Sequence, residues 1–218
     1  MPSTRAAAVA GYFYPAAPAQ LAAMVQTMLQ DADGSPPVHQ PKALIVPHAG
    51  YIYSGPVAAK AYHALAPWAD TIQRVVLLGP SHRVALRGLA LPEVEAFATP
   101  LGDVPVDTEL CERLARLPQV QFLESCHAAE HSLEVQLPFL QNVLKDFKLV
   151  PLVVGLASPQ EVADVLEFAW GGPETLIVIS SDLSHYHPYR QAQWRDKATI
   201  AMIAQLDPHL DGEQACGA

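Results

Sequence analysis

The sequence contains few charged residues, no basic cluster and no long apolar run. Charged residues make up 16% of its 218 positions and hydrophobic residues 50%, a composition typical of a folded protein with a sizeable core. The formal net charge of −9 repels phosphate backbones and argues against nucleic-acid binding. No stretch approaches the ~20 apolar residues of a membrane span. The expected partners are therefore small molecules or other proteins, and not nucleic acid or membrane.

Cysteine is also scarce, which argues against a disulfide framework. The three cysteines, Cys111, Cys126 and Cys216, are odd in number and far apart, a usage that suits a reducing compartment. The N-terminal stretch has one arginine and too short an apolar run for a signal peptide. We therefore expect a cytoplasmic protein.

Short apolar runs alternate with helical patterns along the chain. The apolar runs predict strands buried on both faces, at 43–46, 74–79, 148–155 and 175–180. Helical spacing predicts helices at 20–32, 54–66, 131–145, 158–170 and about 190–206. The proline-containing segment 88–106 indicates an irregular or hairpin excursion. This alternation predicts one α/β domain over residues 1–218, with a mostly parallel central sheet and helices on both faces.

A histidine follows each of three predicted strands. His48 comes after the first strand in a glycine-containing loop, His82 after the second, and His185 after the last. Loops at the carboxyl ends of parallel strands lie at one edge of the sheet, where ligand sites form. We therefore expect the three imidazoles to share one site.

Imidazole is a good ligand for iron, zinc and copper, and two histidines with one anionic ligand leave coordination positions free for substrate. The anionic candidates are Asp182, Glu130, Glu134 and Cys216. His131, at the predicted start of the helix over 131–145, is a further candidate for the same site. The residue pattern leaves the third ligand open.

One alternative chemistry also involves these loops. Ser81 directly precedes His82, and Asp182 with His185 in another loop of the same edge would complete a Ser-His-Asp set. A hydrolase needs a nucleophile, an oriented base and a third group. This reading remains a weaker alternative to the metal site.

Five sequence elements resemble the Memo family, whose bacterial and archaeal members are called AmmeMemoRadiSam system protein B. In chain order they read AGYFYP, PHAGYIYSG, GPSH, AEHSLEVQLPFLQ and SSDLSHY. The resemblance extends from about Ala10 to Cys216, and the elements together are highly specific. Because members of the family continue past the position of Ala218, the resemblance implies that the C-terminal end of the domain is incomplete in this chain.

The family resemblance implies a fold similar to class III extradiol ring-cleaving dioxygenases, which hold Fe(II) with two histidines and a carboxylate. Motif by motif, the metal ligands would be His48, His82 and Cys216, the last in place of the carboxylate. The cofactor would be a divalent metal, iron in the first place, with copper or zinc as alternatives.

The resemblance also implies the residues around the metal. His185 would occupy the acid-base position, and Asp182 and His131 would line the same pocket. Phe13 would replace an aromatic residue that forms part of the pocket wall in relatives. From their places in the loops, Tyr53 and Ser81 are expected to line it too.

These implications point to a redox or oxygenase activity on a small molecule. A non-catalytic module that binds a ligand or peptide is the alternative, since phosphotyrosine-peptide binding has been proposed for eukaryotic Memo proteins. The name of the prokaryotic group further implies a pathway link to radical SAM and AMMECR-type proteins.

Overall fold

The strands and helices are seen in a computed structural model, which describes residues 3–34, 37–207, 209–210, 212 and 214–216. The strands are β1 (Thr4–Arg5), β2 (Ala43–Val46), β3 (Arg74–Pro80), β4 (Leu89–Leu91), β5 (Ala96–Thr99), β6 (Gly102–Pro105), β7 (Val120–Phe122), β8 (Lys148–Val154) and β9 (Thr175–Ser180). The α-helices are α1 (Pro18–Gln30), α2 (Tyr51–His63), α3 (Thr108–Leu114), α4 (Glu124–Ala128), α5 (Leu137–Val143), α6 (Pro159–Ala169) and α7 (Tyr189–Ala204). Short 3-10 helices cover Ala66–Trp68 and Glu134–Gln136.

Six strands form a central sheet in the order β2-β9-β3-β8-β4-β7. All neighbours run parallel except β4 and β8. The four strands predicted from apolar runs are confirmed within one residue at each end, and β3 and β9 are buried along nearly their whole length. The predicted burial on both faces is wrong for β2, which lies at the edge of the sheet and is buried only at Val46. The α/β class with a mostly parallel sheet is thereby confirmed, because only strands covered by helices on both faces need such continuous apolar sequence.

The segment predicted as an excursion contains two kinds of strand. β4 joins the central sheet, whereas β5 and β6 form an antiparallel hairpin that pairs with β1 in a separate three-stranded sheet. Gly102 has a φ of 119° in this hairpin, a conformation that favours glycine. The hairpin prediction is thus confirmed for residues 96–105.

The predicted helix over 131–145 is wrong in its first half. Residues 131–133 form a turn, a 3-10 helix follows, and α5 begins only at Leu137. The backbone amides of His131 and Ser132 donate to the side chain of Glu130. A carboxylate that accepts local amides competes with helical hydrogen bonding, which is why apolar spacing misjudged this segment.

The glycine-containing loop expected after His48 is also shorter than predicted. Helix α2 begins at Tyr51, with Gly50 as its N-terminal cap residue. Gly55 lies inside the helix and not in a loop, and a Cβ there would come within 2.6 Å of the Met28 sulfur. This glycine therefore serves the close packing of α2 on α1.

One large apolar core lies between the central sheet and helices α1, α2 and α5. Burial of this many apolar side chains is the main favourable term in folding. Within the described part of the chain, no helix combines the length and apolar character needed to cross a membrane.

Candidate metal centre

The strand order explains why distant histidines meet. Strands β2, β9 and β3 are neighbours in the sheet, and His48, Asp182 and His82 each lie two residues beyond the carboxyl end of one of them. Carboxyl ends of parallel strands share one edge. His131 reaches the same edge from the turn between α4 and α5.

Three imidazole rings pack against one another at this edge. The ring centroids of His48 and His82 are 5.1 Å apart, those of His48 and His131 5.6 Å, and those of His82 and His131 4.6 Å. One ring nitrogen from each histidine can be chosen so that all three lie within 4.8 Å of one another. This spacing places the three rings around a volume suited to a single ion.

A buried carboxylate hydrogen-bonds to the ring of one of these histidines and to the backbone of another. Glu130 is 2% exposed and accepts hydrogen bonds from the His82 backbone N–H at 2.7 Å and from His82 Nδ1 at 2.9 Å. It also accepts the backbone amides of His131 and Ser132, each at 2.9 Å. Metal-binding histidines commonly donate their other N–H to such a carboxylate.

The charge of Glu130 is stabilised in this position. Burial raises the pKa of its carboxyl group, but the hydrogen bonds from His82 and from the backbone of Ser132 outweigh burial and lower the pKa to about 2. Glu130 is therefore ionised and committed to the histidines around it. It supports the ring positions and does not lie free as a ligand.

The His48 ring has a neutral hydrogen-bond partner instead. It is 1% exposed, and its Nδ1 lies 3.0 Å from the hydroxyl of Ser180. Burial lowers the pKa of His48 to about 4, against an opposing effect of the Asp182 charge. The buried Nε2 of His48 has no hydrogen-bond partner. A buried polar atom without a partner calls for an explanation, and a ligand at Nε2 would supply one.

His82 is held in the opposite protonation state. Hydrogen bonds first to Cys216 and then to Glu130 raise the pKa of His82 to about 10. Its Nε2 lies 3.1 Å from Cys216 Sγ. Burial lowers the pKa of the third ring, His131. A cation bound at Nε2 of His82 would replace a proton, so binding there releases protons.

Asp182 connects the residues of three loops. Its Oδ1 accepts the His48 backbone N–H at 2.7 Å, and its Oδ2 lies 3.8 Å from both His48 Nε2 and His185 Nε2. Its carbonyl oxygen accepts the Cys216 backbone N–H at 3.0 Å. One carboxylate oxygen of Asp182 is therefore equally distant from the buried His48 ring and from His185.

The three residues expected to line the pocket differ in position. The ring of Phe13 packs on His131 with centroids 4.6 Å apart. Tyr53 is 78% exposed on the outer side of α2, while the neighbouring Tyr51 is buried beneath the site. The Ser81 hydroxyl donates to the Val84 carbonyl oxygen at 2.5 Å. Phe13 thus packs directly on the histidine cluster, whereas Tyr53 lines a neighbouring pocket together with Pro47 and Asp182.

A second buried carboxylate was among the anionic candidates for the metal, but its partners lie outside the histidine cluster. Glu134, one of the anionic candidates, is fully buried and pairs with Arg5 at 2.7 Å. It also accepts the Tyr14 hydroxyl at 2.6 Å and the backbone amides of Ala8 and Val9. These contacts stabilise the N-terminal segment and occupy the Glu134 carboxylate, so that it does not bind the histidines. In the sequence, the available signal of this burial was an acidic residue within an apolar helical pattern.

The donor set fits a divalent transition metal. Three imidazoles lie together, a cysteine thiol touches one of them, and a carboxylate orients that same ring. Imidazole and thiolate are ligands that iron, copper and zinc share, whereas magnesium and calcium prefer oxygen. Fold and site together define an α/β protein with a histidine-rich candidate metal centre at the carboxyl edge of its sheet.

The chain belongs to the Memo family. The sequence profile described as "Memo-like protein" matches residues 5–213, which includes every residue of the histidine cluster. This confirms the family inferred from the five sequence elements.

Similar proteins from bacteria and archaea carry the same family description. A "MEMO1 family protein" of Aquifex aeolicus is 38% identical over 93% of this chain and 75% of its own length. Proteins of the same description from Methanopyrus kandleri and Sulfolobus acidocaldarius are 37% and 35% identical, over 93% of this chain and 76% and 77% of theirs.

Proposed function

We propose that this protein binds one divalent transition metal through His48 and His82 and uses it in redox chemistry on a small molecule. The observation that carries the proposal is the buried, unpartnered Nε2 of His48 beside two further imidazoles within ligand distance of each other. Iron is the first choice, and copper and zinc are the alternatives that the same ligands accept.

Two residues compete for the third ligand position. His131 belongs to the group whose nitrogens lie within 4.8 Å, whereas Cys216 contacts only His82 in that group, at 3.1 Å. An anionic thiolate holds a divalent ion more strongly than a third neutral ring. We therefore propose Cys216 as the ligand and His131 as a residue of the pocket.

When bound, the metal would supply a Lewis acid or electron-transfer centre. The chain's own residues prepare the pocket: Glu130 orients the His82 ring, and Phe13 covers His131. Asp182 lies 3.8 Å from His185, whose side chain is 42% exposed. His185 can therefore carry protons between solvent and the pocket.

Metal analysis of protein purified without oxygen tests the proposal. The wild type is expected to retain about one iron, copper or zinc ion per chain, and His48→Ala is expected to lose it. His39→Ala is the matched control, because His39 is exposed and lies outside the cluster. Equal metal content in wild type and His48→Ala would refute the metal site.

The oxygenase step needs its own measurement. Oxygen consumption is followed with the iron-loaded protein and a panel of catechols, and His185→Gln is compared with the wild type. We expect wild-type turnover above the metal-free background and a loss of about 100-fold in the variant. No oxygen uptake with any catechol would remove the oxygenase proposal and leave metal binding intact.

The geometry does not favour the hydrolase alternative. Its nucleophile, Ser81, donates its hydroxyl proton to the Val84 carbonyl within its own loop. A serine nucleophile instead directs that proton to a base.

A further inference from the structure

A chain of buried hydrogen bonds beneath His48 determines which of its ring nitrogens carries hydrogen. The chain starts from two backbone carbonyls, those of Pro47 and Ser132, which can only accept. The side-chain amide of Gln136 donates to Pro47 O at 3.0 Å, and the Ser180 hydroxyl donates to Ser132 O at 2.6 Å. These two contacts fix the orientation of the groups between them.

The orientation of Gln136 follows from the carbonyl that it faces. Only the NH₂ group of an amide can approach Pro47 O, so Nε2 lies on that side, and its second N–H donates to Ser180 Oγ at 2.8 Å. On the other side, the Tyr62 hydroxyl donates to Gln136 Oε1 at 2.9 Å. All hydrogens of the amide are therefore assigned by their partners.

Ser180 then has no hydrogen left for His48. A hydroxyl has one hydrogen and two acceptor sites, and the hydrogen is already directed to Ser132 O. One acceptor site receives the Gln136 amide. The remaining site faces His48 Nδ1 at 3.0 Å, so that nitrogen must be the donor.

We propose that Ser180, held in place by Gln136, is a positioning residue that fixes metal-free His48 in its Nδ1–H tautomer. Nε2 then presents its electron pair to the cluster before any ligand arrives. The role of this tautomer in metal binding rests on the proposed function. The hydrogen bonds that fix the tautomer are present without a metal. The partner of the ring nitrogen that faces away from a metal determines which nitrogen can bind it.

The histidine ¹⁵N NMR spectrum of metal-free protein tests the assignment directly. With His48→Asn used to identify the resonances, wild-type His48 is expected to show a protonated Nδ1 and an unprotonated Nε2. In Ser180→Ala the two tautomers are expected to mix, and in Ser180→Thr, which keeps a hydroxyl, the wild-type pattern is expected to return. An Nε2–H tautomer in the wild type would overturn the proposal.

Metal titration provides the second readout. Ser180→Ala is expected to weaken binding of the metal found in the wild type by about 10- to 100-fold. Ser54→Ala is the matched control, because it removes another buried hydroxyl, bonded to Ala49 O and not to the cluster. Its spectrum and affinity are expected to match the wild type.

The two proposals can fail separately. A wild type that shows the expected tautomer but binds no iron, copper or zinc refutes the proposed function and supports the positioning role. A wild type that binds metal, with the same tautomer in Ser180→Ala, refutes the positioning role alone. If Ser180→Ala does not fold, the spectra of the wild type and of Ser180→Thr test the positioning role. An Nε2–H tautomer of His48 in either protein would refute it.

Discussion

The surroundings of His48 and His82 differ more than their positions do. The rings are 5.1 Å apart, but Nδ1 of His48 faces a hydroxyl in a neutral network, whereas Nδ1 of His82 faces an ionised carboxylate. The pKa of His48 is lowered to about 4 by burial, and that of His82 is raised to about 10 by its hydrogen bonds to Cys216 and Glu130. Two histidines in contact therefore differ in pKa because one is buried and the other is hydrogen-bonded to a thiol and a carboxylate.

The largest expected effect comes from removing the charge beside His82. Glu130→Gln is expected to lower the free energy of unfolding by about 4 kcal/mol, because it leaves the His82 ring and three backbone donors without their charged acceptor. Urea unfolding at pH 7.5 measures the change. Glu167→Gln, on the exposed side of α6, is the control and should change stability by less than about 0.5 kcal/mol. A similar small change in Glu130→Gln would show that the charge is unimportant for stability.

A second buried histidine extends the comparison to surroundings without a carboxylate contact. His127 donates from Nε2 to the Ala90 carbonyl at 3.0 Å, and burial lowers its pKa to about 4. Since the unfolded value is about 6.5, the unfolded state takes up the proton first as pH falls. Between pH 6.5 and 4 this residue should therefore remove about 3 kcal/mol of stability.

Urea unfolding across this pH range, with and without His127→Gln, isolates that contribution. The stability advantage of the wild type over the variant should be fully present above pH 6.5 and shrink towards pH 4. The exposed His39→Gln should follow the wild type at every pH. An advantage that stays constant with pH would show that His127 is protonated equally in both states.

The smallest expected effects come from two tyrosine hydroxyls, one bonded to a charged carboxylate and one to a neutral amide. Tyr14 donates to the Glu134 carboxylate at 2.6 Å, and Tyr62 donates to the Gln136 amide at 2.9 Å. Hydrogen bonds to charged groups contribute more, so Tyr14→Phe should cost about 2 kcal/mol and Tyr62→Phe about 1 kcal/mol. Thermal or urea unfolding of both variants checks the order, and the reverse order would contradict the comparison.

Much of the fold could be predicted because buried parallel strands have a simple signal. The runs ending at Val46, Pro80 and Ser180 are continuous and apolar, and their alternation with helices predicts the sheet edge at which His48 and His82 meet. The segment from His131 to Leu133 could not be predicted in the same way. There, the Glu130 carboxylate accepts backbone amides in place of helical hydrogen bonds. The spacing of apolar residues does not indicate this contact.

The candidate site was predictable as a group of histidines but not as a hydrogen-bonded arrangement. Placement after strands indicates that His48 and His82 approach each other, yet it says nothing of Ser180 or Gln136, which lie within ordinary apolar segments. The partners depend on contacts across the sheet: Ser180 is 132 residues from His48, and Gln136 is 44 from Ser180. Spacing along a single chain cannot reveal such pairs.

The separation of the site's parts along the chain has a consequence for biogenesis. Two contacts that define it, His48 with Asp182 and His82 with Cys216, each join residues 134 positions apart. A ribosome-bound chain must therefore expose residue 216 before the last of these contacts can form, and pairings of such range form slowly. Uptake of an ion through Cys216 would then follow the formation of these long-range contacts.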